Sequence, residues 1–347
     1  MRLGIVVNDV RTEEAGYTTT RLGVAAAARG HDVYVMGLAD LGYDVDERVS
    51  AKARKPLRKT YKSGQLYLKD LTGPGTLERI LLEDLDVLLL RSDPSNEAKT
   101  RPWAPNTSLM FAKLAAQKGV IVLNDPVGLS QAMSKMYLQE FPAEVRPRTI
   151  ITRDRVEIRR FFKEEAAPIV LKPLQGSGGD SVFLVRPDEM ANLNQMIDAV
   201  SRDGYVIAQE YLPKAELGDT RLFLMNGQPL KYKNHYCAFQ RLRRDGDLRS
   251  NLHAGGSLAA AVVTQEMLRI AEIVRPKLVN DGMWMVGLDI VGDKLMEINV
   301  FSPGGLGSAQ KFEGVNFSLA VLDDLERKVR YQQHYGRSLR SSDLSSL

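Results

Sequence analysis

Ile169-Val170-Leu171-Lys172-Pro173-Leu174-Gln175-Gly176-Ser177-Gly178-Gly179 carries more information than any other stretch of this 347-residue chain. An apolar run delivers a lysine to the end of a strand, and a glycine-rich loop follows. Glycines let backbone approach phosphate oxygens closely, and successive N–H groups can ring an anion. A lysine at the strand end adds a point charge for a phosphate. The loop is not a Walker loop, because Gly-Lys-Ser/Thr is missing, and it is not the six-residue dinucleotide fingerprint. Alone, it also fits an ordinary hairpin.

Towards the C-terminus, Val286-Gly287-Leu288-Asp289-Ile290-Val291 and Leu295-Met296-Glu297-Ile298-Asn299-Val300 flank Gly292-Asp293, which predicts a hairpin. Asp289 would then lie near Glu297 and Asn299, and the latter two share a face. Two carboxylates and an amide oxygen are hard ligands, suited to Mg²⁺ that is also held by nucleotide phosphates. Carboxylates inside apolar strands are costly unless paired or metal-bound. The alternative is a surface hairpin with its polar residues in water. Between these two motifs lie Gly218-Asp219-Thr220-Arg221 and Arg249-Ser250-Asn251-Leu252-His253-Ala254-Gly255-Gly256. Arginine suits a phosphate or carboxylate by bidentate contact, but each of these segments is weak alone.

The surrounding pattern sets the fold class. Residues 3–7, 33–38, 85–90 and 120–123 read as strands and 18–29 as a helix. Together they predict a parallel α/β sheet covered on both faces. After Asn124-Asp125-Pro126, a turn signal, the pattern becomes α+β: strands at 147–151, 169–172, 182–185 and 206–211, helices at 156–165 and 189–201. From Arg221 onward, strands at 222–225 and 228–232 flank Asn226-Gly227, and helices are expected at 264–279 and 317–331. The domains expected are 1–123, 124–210 and 211–332, with a mobile polar tail at 333–347. The basic run at 50–62 reads as a solvated loop or helix face.

Bulk properties exclude several classes. A chain this long is expected to form two or three domains. With 44% hydrophobic and 26% charged residues, disorder is not the default. The net charge of +4 suits an anionic substrate as well as nucleic acid. Nucleic-acid binding is supported only by 50–62, which has few aromatics nearby for stacking. The single cysteine, Cys237, excludes an internal disulfide and a Cys-rich zinc site. No signal peptide pattern and no apolar run of roughly 18 residues is present, so neither a membrane nor a nucleic-acid partner is expected, and a cytoplasmic location is.

In this order the motifs resemble the ATP-grasp superfamily and, within it, the bacterial glutathione synthetases. The resemblance covers roughly residues 1–330. It rests on Leu90-Arg91-Ser92-Asp93-Pro94, Leu123-Asn124-Asp125-Pro126 with Lys135 after it, the Lys172 strand and loop, Tyr211-Leu212-Pro213, and the three segments around Arg221, Arg249 and Asp289. It implies an N-terminal parallel α/β domain followed by an ATP-grasp fold of two α+β subdomains. It implies an ATP- and Mg²⁺-dependent ligase that joins a carboxylate to an amine through an acyl phosphate, with γ-glutamylcysteine and glycine as substrates.

By the same resemblance, Lys135 and Lys172 contact nucleotide phosphates, and Gly176, Ser177, Gly178 and Gly179 close over them. Gln209, Glu210, Tyr211 and Leu212 line the adenine pocket, and Asp219 meets the ribose. Asp289, Glu297 and Asn299 hold two Mg²⁺ ions, Mn²⁺ being an alternative. Arg221, Arg249 and Asn251 sit near the reacting phosphoryl group and the substrate carboxylate, and Arg91, Asp93, Ser302, Gly304 and Gly305 at the substrate. A homodimer or homotetramer is implied by analogy.

The chain departs from the family at three places. Where the family reads Thr-Ser-Pro and then a Cys- and Arg-containing stretch, this chain reads Phe301-Ser302-Pro303-Gly304-Gly305-Leu306-Gly307, without the arginine. Ser95-Asn96-Glu97 replaces Pro-Phe-Asp. The segment between Gly227 and Arg249 is longer and carries Lys231, Lys233, His235, Tyr236, Arg241, Arg243 and Arg244. These changes leave open a different γ-glutamyl or amino-acid substrate pair. A non-catalytic ATP-binding regulatory module is the alternative of another class.

Overall fold

The computed structural model describes residues 1–97, 100–176, 181–202, 204–243, 256–336 and 339–347. The first 123 residues form β1 (Arg2–Val7), α1 (Thr18–Ala28), β2 (Asp32–Gly37), β3 (Leu41–Tyr43), β4 (Val49–Arg54), α2 (Gly64–Leu71), β5 (Leu77–Leu81), β6 (Val87–Leu90), α3 (Thr107–Gln117) and β7 (Ile121–Leu123). They build one sheet in the order β3-β4-β2-β1-β6-β7, with β5 paired to β4. The β2-β1-β6-β7 part is parallel, whereas β3, β4 and β5 pair antiparallel. The four strands expected to form a parallel sheet do so, and β3, β4 and β5 add an antiparallel edge to it.

A four-stranded antiparallel sheet follows α4 (Pro126–Gln131). It contains β8 (Thr149–Thr152), α5 (Arg155–Glu165), β9 (Ile169–Pro173), β10 (Phe183–Val185), α6 (Leu193–Ser201) and β11 (Val206–Glu210), in strand order β10-β9-β11-β8. Ile158, Phe161 and Phe162 of α5 and Leu193, Ile197 and Val200 of α6 recur at helical spacing. They close over Ile169, Leu171, Val206 and Ala208 to make a separate small core. Each such side chain contributes about 1.5–3 kcal/mol on burial.

The third sheet contains β12 (Asp219–Met225), β13 (Gln228–Pro229), β16 (Ala238–Leu242), β17 (Ser257–Ala259), β18 (Met285–Val291) and β19 (Lys294–Asn299), with the small β14 (Lys231–Tyr232) and β15 (His235–Tyr236) ladder beside it. Its order is β17-β16-β12-β18-β19. The helices α7 (Gln265–Asn280), α8 (Leu306–Glu313), α9 (Phe317–Tyr335) and α10 (Ser341–Leu344) complete the chain. Asn226 and Gly227 both take positive φ, 56° and 72°, as the expected two-residue hairpin turn requires.

The first and third sheets share their cores. Leu3, Ile5 and Val7 pack in one cluster with Phe223, Phe239, Trp284 and Phe317. Val6, pointing to the other face of β1, belongs to a second cluster with Leu222, Leu224, Ile270 and Val274. Among the described residues no helix is long and apolar enough to cross a membrane.

Three expectations need correction. Part of the basic 50–62 run is strand β4: Val49, Ala51 and Ala53 are buried while Lys52 is exposed. The charges of that strand hide its buried residues, two of which are only alanines. The strand expected to reach residue 211 ends at Glu210. The tail expected to be mobile is packed at its end: Leu344 is buried, and its carbonyl accepts a hydrogen bond from the buried ammonium of Lys328.

Candidate active site

Strand register decides which polar side chains meet. Asp219 lies opposite Arg241, Arg221 opposite Asp289, Asp289 opposite Glu297, and Gly287 opposite Asn299. All therefore project from one face of the third sheet. Asp289 is the hub. Arg221 grips it with two bonds, Nε to Oδ1 at 2.7 Å and Nη2 to Oδ2 at 2.6 Å. Arg241 Nη2 reaches Oδ2 at 2.7 Å and Asn299 Nδ2 does so at 3.1 Å. Burial alone would raise the Asp289 carboxyl, but the two guanidiniums outweigh it and hold it below the usual carboxylate range. Arg241 also donates from Nε to Asp219 Oδ1 at 2.7 Å, so in this structure the carboxylate expected at a ribose holds an arginine.

A cleft opens beside this face. Asp93 and Ser95 line it from the N-terminal sheet, Lys135 from the segment after α4, Lys172, Gly176 and Gln209 from the four-stranded sheet, and Glu297, Asn299 and Ser302 from β19 and its exit. Burial pushes the Lys172 ammonium down to about 8; Glu297 partly restores it, and Lys135 opposes. Burial lowers Lys135 as well, against the pull of Glu297 and Asp93. Lys172 Nζ donates to Gln209 Oε1 at 3.0 Å, and Gln209 Nε2 donates to Thr149 Oγ1 at 3.0 Å. Lys135 donates to the carbonyl of Gly176. Two desolvated ammonium groups in one cleft can receive a polyanion.

The same wall fits a divalent cation. Asn299 turns its amide nitrogen to Gly287 O and Asp289, which leaves its oxygen available as a ligand. Asp289 Oδ1 accepts one bond from Arg221 and keeps a lone pair. With Glu297 the set is two carboxylates and an amide, all hard oxygen donors. Among the described residues no group of three His, Cys, Asp or Glu that could hold a metal ion exists.

Other expected residues are placed as follows. Arg91 is buried; its Nη2 donates to Pro303 O at 3.0 Å and its Nε to Thr19 Oγ1 at 3.3 Å. Burial brings it down to about 10, with Glu13 opposing. Arg221 Nη1 donates to Gly304 O at 3.2 Å. Gly305 adopts φ 102°, and a β-carbon there would lie 2.4 Å from the Phe239 ring, so only glycine fits. Asp93 Oδ1 accepts from Ser95 N and Oγ at 2.9 and 2.6 Å.

Three residues expected in the adenine pocket do not line the cleft. Glu210 Oε1 accepts from Arg148 N at 2.9 Å, the Tyr211 hydroxyl accepts from Arg243 Nη1 at 3.2 Å, and Leu212 precedes the 3₁₀ turn Pro213–Leu217. Ser177, Gly178, Gly179, Arg249 and Asn251 lie outside the described residues. Sequence reading missed the role of Arg241. Its signal was available only as a guess at the register that sets it opposite Asp219.

Comparison with known proteins gives the family. Residues 1–130 match the family model of the prokaryotic glutathione synthetase N-terminal domain, and residues 134–314 that of its ATP-grasp domain. A glutathione synthetase from Agrobacterium fabrum is 34% identical over 320 residues, covering 90% of this chain and 92% of its own. One from Escherichia coli is 31% identical, covering 96% and 100%. In fold, the chain is similar to a crystal structure of a D-cycloserine synthetase, with a TM-score of 0.60 at 16% identity over 93% of this chain and 99% of that one. This chain, an ATP-grasp protein whose two matched segments span nearly its whole length, belongs to the prokaryotic glutathione synthetase family.

Proposed function

We propose that the chain is a glutathione synthetase: it activates the cysteinyl carboxylate of γ-glutamylcysteine with ATP and joins it to glycine, releasing ADP and phosphate. The observation that carries this reading is the convergence of Lys135, Lys172, Glu297, Asn299 and Asp93 on one cleft. The working parts are residues 1–123, 124–210 and 211–332. The four-stranded sheet, with its own core, is suited to move against the rest over a bound nucleotide.

A carboxylate is a poor electrophile at neutral pH. Transfer of the γ-phosphoryl group makes it a mixed anhydride, which the amine of glycine then attacks. Lys135 and Lys172 hold the phosphate charge, and Gln209 fixes Lys172 in place. Glu297, Asn299 and Asp289 would hold Mg²⁺, in our reading two ions with Mn²⁺ able to substitute. A divalent ion held there would supply charge neutralisation for phosphoryl transfer. Arg221 and Arg241 keep Asp289 ionised and pointed at that wall. Ser177, Gly178 and Gly179 would shield the acyl phosphate from water, Arg249 and Asn251 would meet the reacting group, and Glu210, Tyr211 and Leu212 would approach the adenine on closure. A cytoplasmic homo-oligomer follows the family by analogy.

The test is an assay of the purified chain with ATP, Mg²⁺, γ-glutamylcysteine and glycine, with the product identified by mass. Glutathione formed in step with ADP is the expected result. The glycine-rich 303–307 loop favours one second reading, a different amine or acid. ADP release only with another substrate pair would select it.

A further inference from the structure

Gly307 is the second residue of α8, and Arg21 of α1 lies against it. A β-carbon on Gly307 would sit 2.2 Å from Arg21 Nε, 2.5 Å from its Cζ and 2.7 Å from Nη2. The guanidinium thus occupies the space that any side chain at 307 would need. Arg21 Nε is buried and has no hydrogen-bond partner among the described residues, and the bond from Nη1 to Gln310 Oε1 is long, at 3.5 Å. A buried, unpartnered donor on a cation calls for an acceptor that folding does not supply. A planar guanidinium matches a carboxylate or a phosphate by bidentate contact, and the part of a substrate that is not phosphorylated offers a carboxylate.

The loop against which Arg21 packs runs back to the cleft wall. The loop that leads from Ser302 on the cleft wall to Gly307 is held by Arg91 at Pro303 O, by Arg221 at Gly304 O, and by Thr18 Oγ1, which accepts from Leu306 N at 3.3 Å. Thr18 and Arg21 are one helical turn apart on α1, so they face the same loop. Arg221 is neutralised by Asp289, and Arg91 donates to protein oxygens.

We propose that Arg21, seated by the absence of a side chain at Gly307, recognises the substrate carboxylate that is not phosphorylated. This rests on the glutathione synthetase reading, in which both substrates bring such a group: the glutamyl α-carboxylate of the donor and the carboxylate of glycine. Arg21 is a specificity-determining residue here and takes no part in phosphoryl transfer.

The experiment measures KM for each substrate separately in wild type, R21A, R21K, G307A and the R21A/G307A double variant, with folding checked by Tm. R21A is expected to raise KM for one carboxylate substrate by about tenfold or more, with KM for ATP within about twofold and R21K restoring part of the loss. G307A should give the same KM shift, because the new methyl evicts the guanidinium, and the double variant should be no worse than R21A. A shift in KM for glycine but not for glycinamide assigns the acceptor carboxylate, and a shift for γ-glutamylcysteine assigns the donor. Unchanged KM for both substrates in R21A, with wild type active, overturns the assignment and spares the functional reading. Additive effects of the two substitutions overturn the role of Gly307. An inactive wild type removes the functional reading, and this carboxylate ligand with it.

Discussion

At the residue scale, two carboxylates on one strand face have different tasks. Asp289 is buried between Arg221 and Arg241, whereas Glu297 is half-exposed on the cleft wall. Asp289→Asn would leave two guanidiniums facing a neutral amide, at a cost of about 3–5 kcal/mol in a urea melt. Glu297→Gln should keep stability within about 1 kcal/mol and lower kcat by about a hundredfold or more; a fully active E297Q removes its metal role. Lys172 gives a pH signature. Its charged form binds phosphate and, with the group held at about 8, is lost as pH rises through that value. We expect kcat/KM for ATP to fall above about pH 8, and a flat profile to pH 9.5 would contradict the assignment. Stability has the opposite sign. The unfolded chain keeps this proton up to the ordinary value of 10.5, so between the two values the unfolded state binds more protons and the Lys172 contribution rises with pH. Lys172, Glu297 and Asn299 were legible in the sequence, because polar residues interrupting apolar strands stand out. Arg241 was not, since its partners Asp219 and Asp289 are 22 and 48 positions away and only the strand register joins them.

At the scale of elements, the β12–β16 pair depends on one glycine. Gly218 holds φ 88°, and a β-carbon there would lie 1.8 Å from the Arg241 carbonyl oxygen. Gly218→Ala should cost about 2–4 kcal/mol by urea denaturation, while Gly304→Ala, with nothing within 4 Å of the added carbon, should change stability by less than about 0.5 kcal/mol. Equal effects of the two would contradict the role given to Gly218. The β18–β19 hairpin could be read from its alternation around Gly292, which takes φ 60°. The β4–β5 ladder could not, because Lys52, Glu78 and Arg79 dominate strands whose inward faces are small or short. α8 follows a glycine-rich loop that reads as coil until Leu306 and Ala309 are seen to be buried.

For the whole molecule, two cores join the first and third sheets while the four-stranded sheet keeps its own. The last residues are part of that joined body. Lys328 is fully buried, bonded to Asn226 Oδ1 at 2.8 Å and to the Leu344 carbonyl. Deleting residues 336–347 should therefore destabilise the protein by about 2–5 kcal/mol with KM for ATP little changed, since the cleft is lined by residues no later than Ser302. A truncation without effect on Tm would contradict the packed end. Polar composition hid this packing: Leu344 and Ser345 are buried, and Lys328 and Arg327 donate to the Leu344 and Leu347 carbonyls. The central claim is ligation through an acyl phosphate in the cleft of Lys135, Lys172 and Glu297. It is tested most directly by supplying γ-glutamylcysteine labelled with ¹⁸O in both oxygens of its cysteinyl carboxylate. One labelled oxygen per turnover should appear in inorganic phosphate and the other remain in the amide product; glutathione formed with unlabelled phosphate, or no glutathione at all, would contradict it.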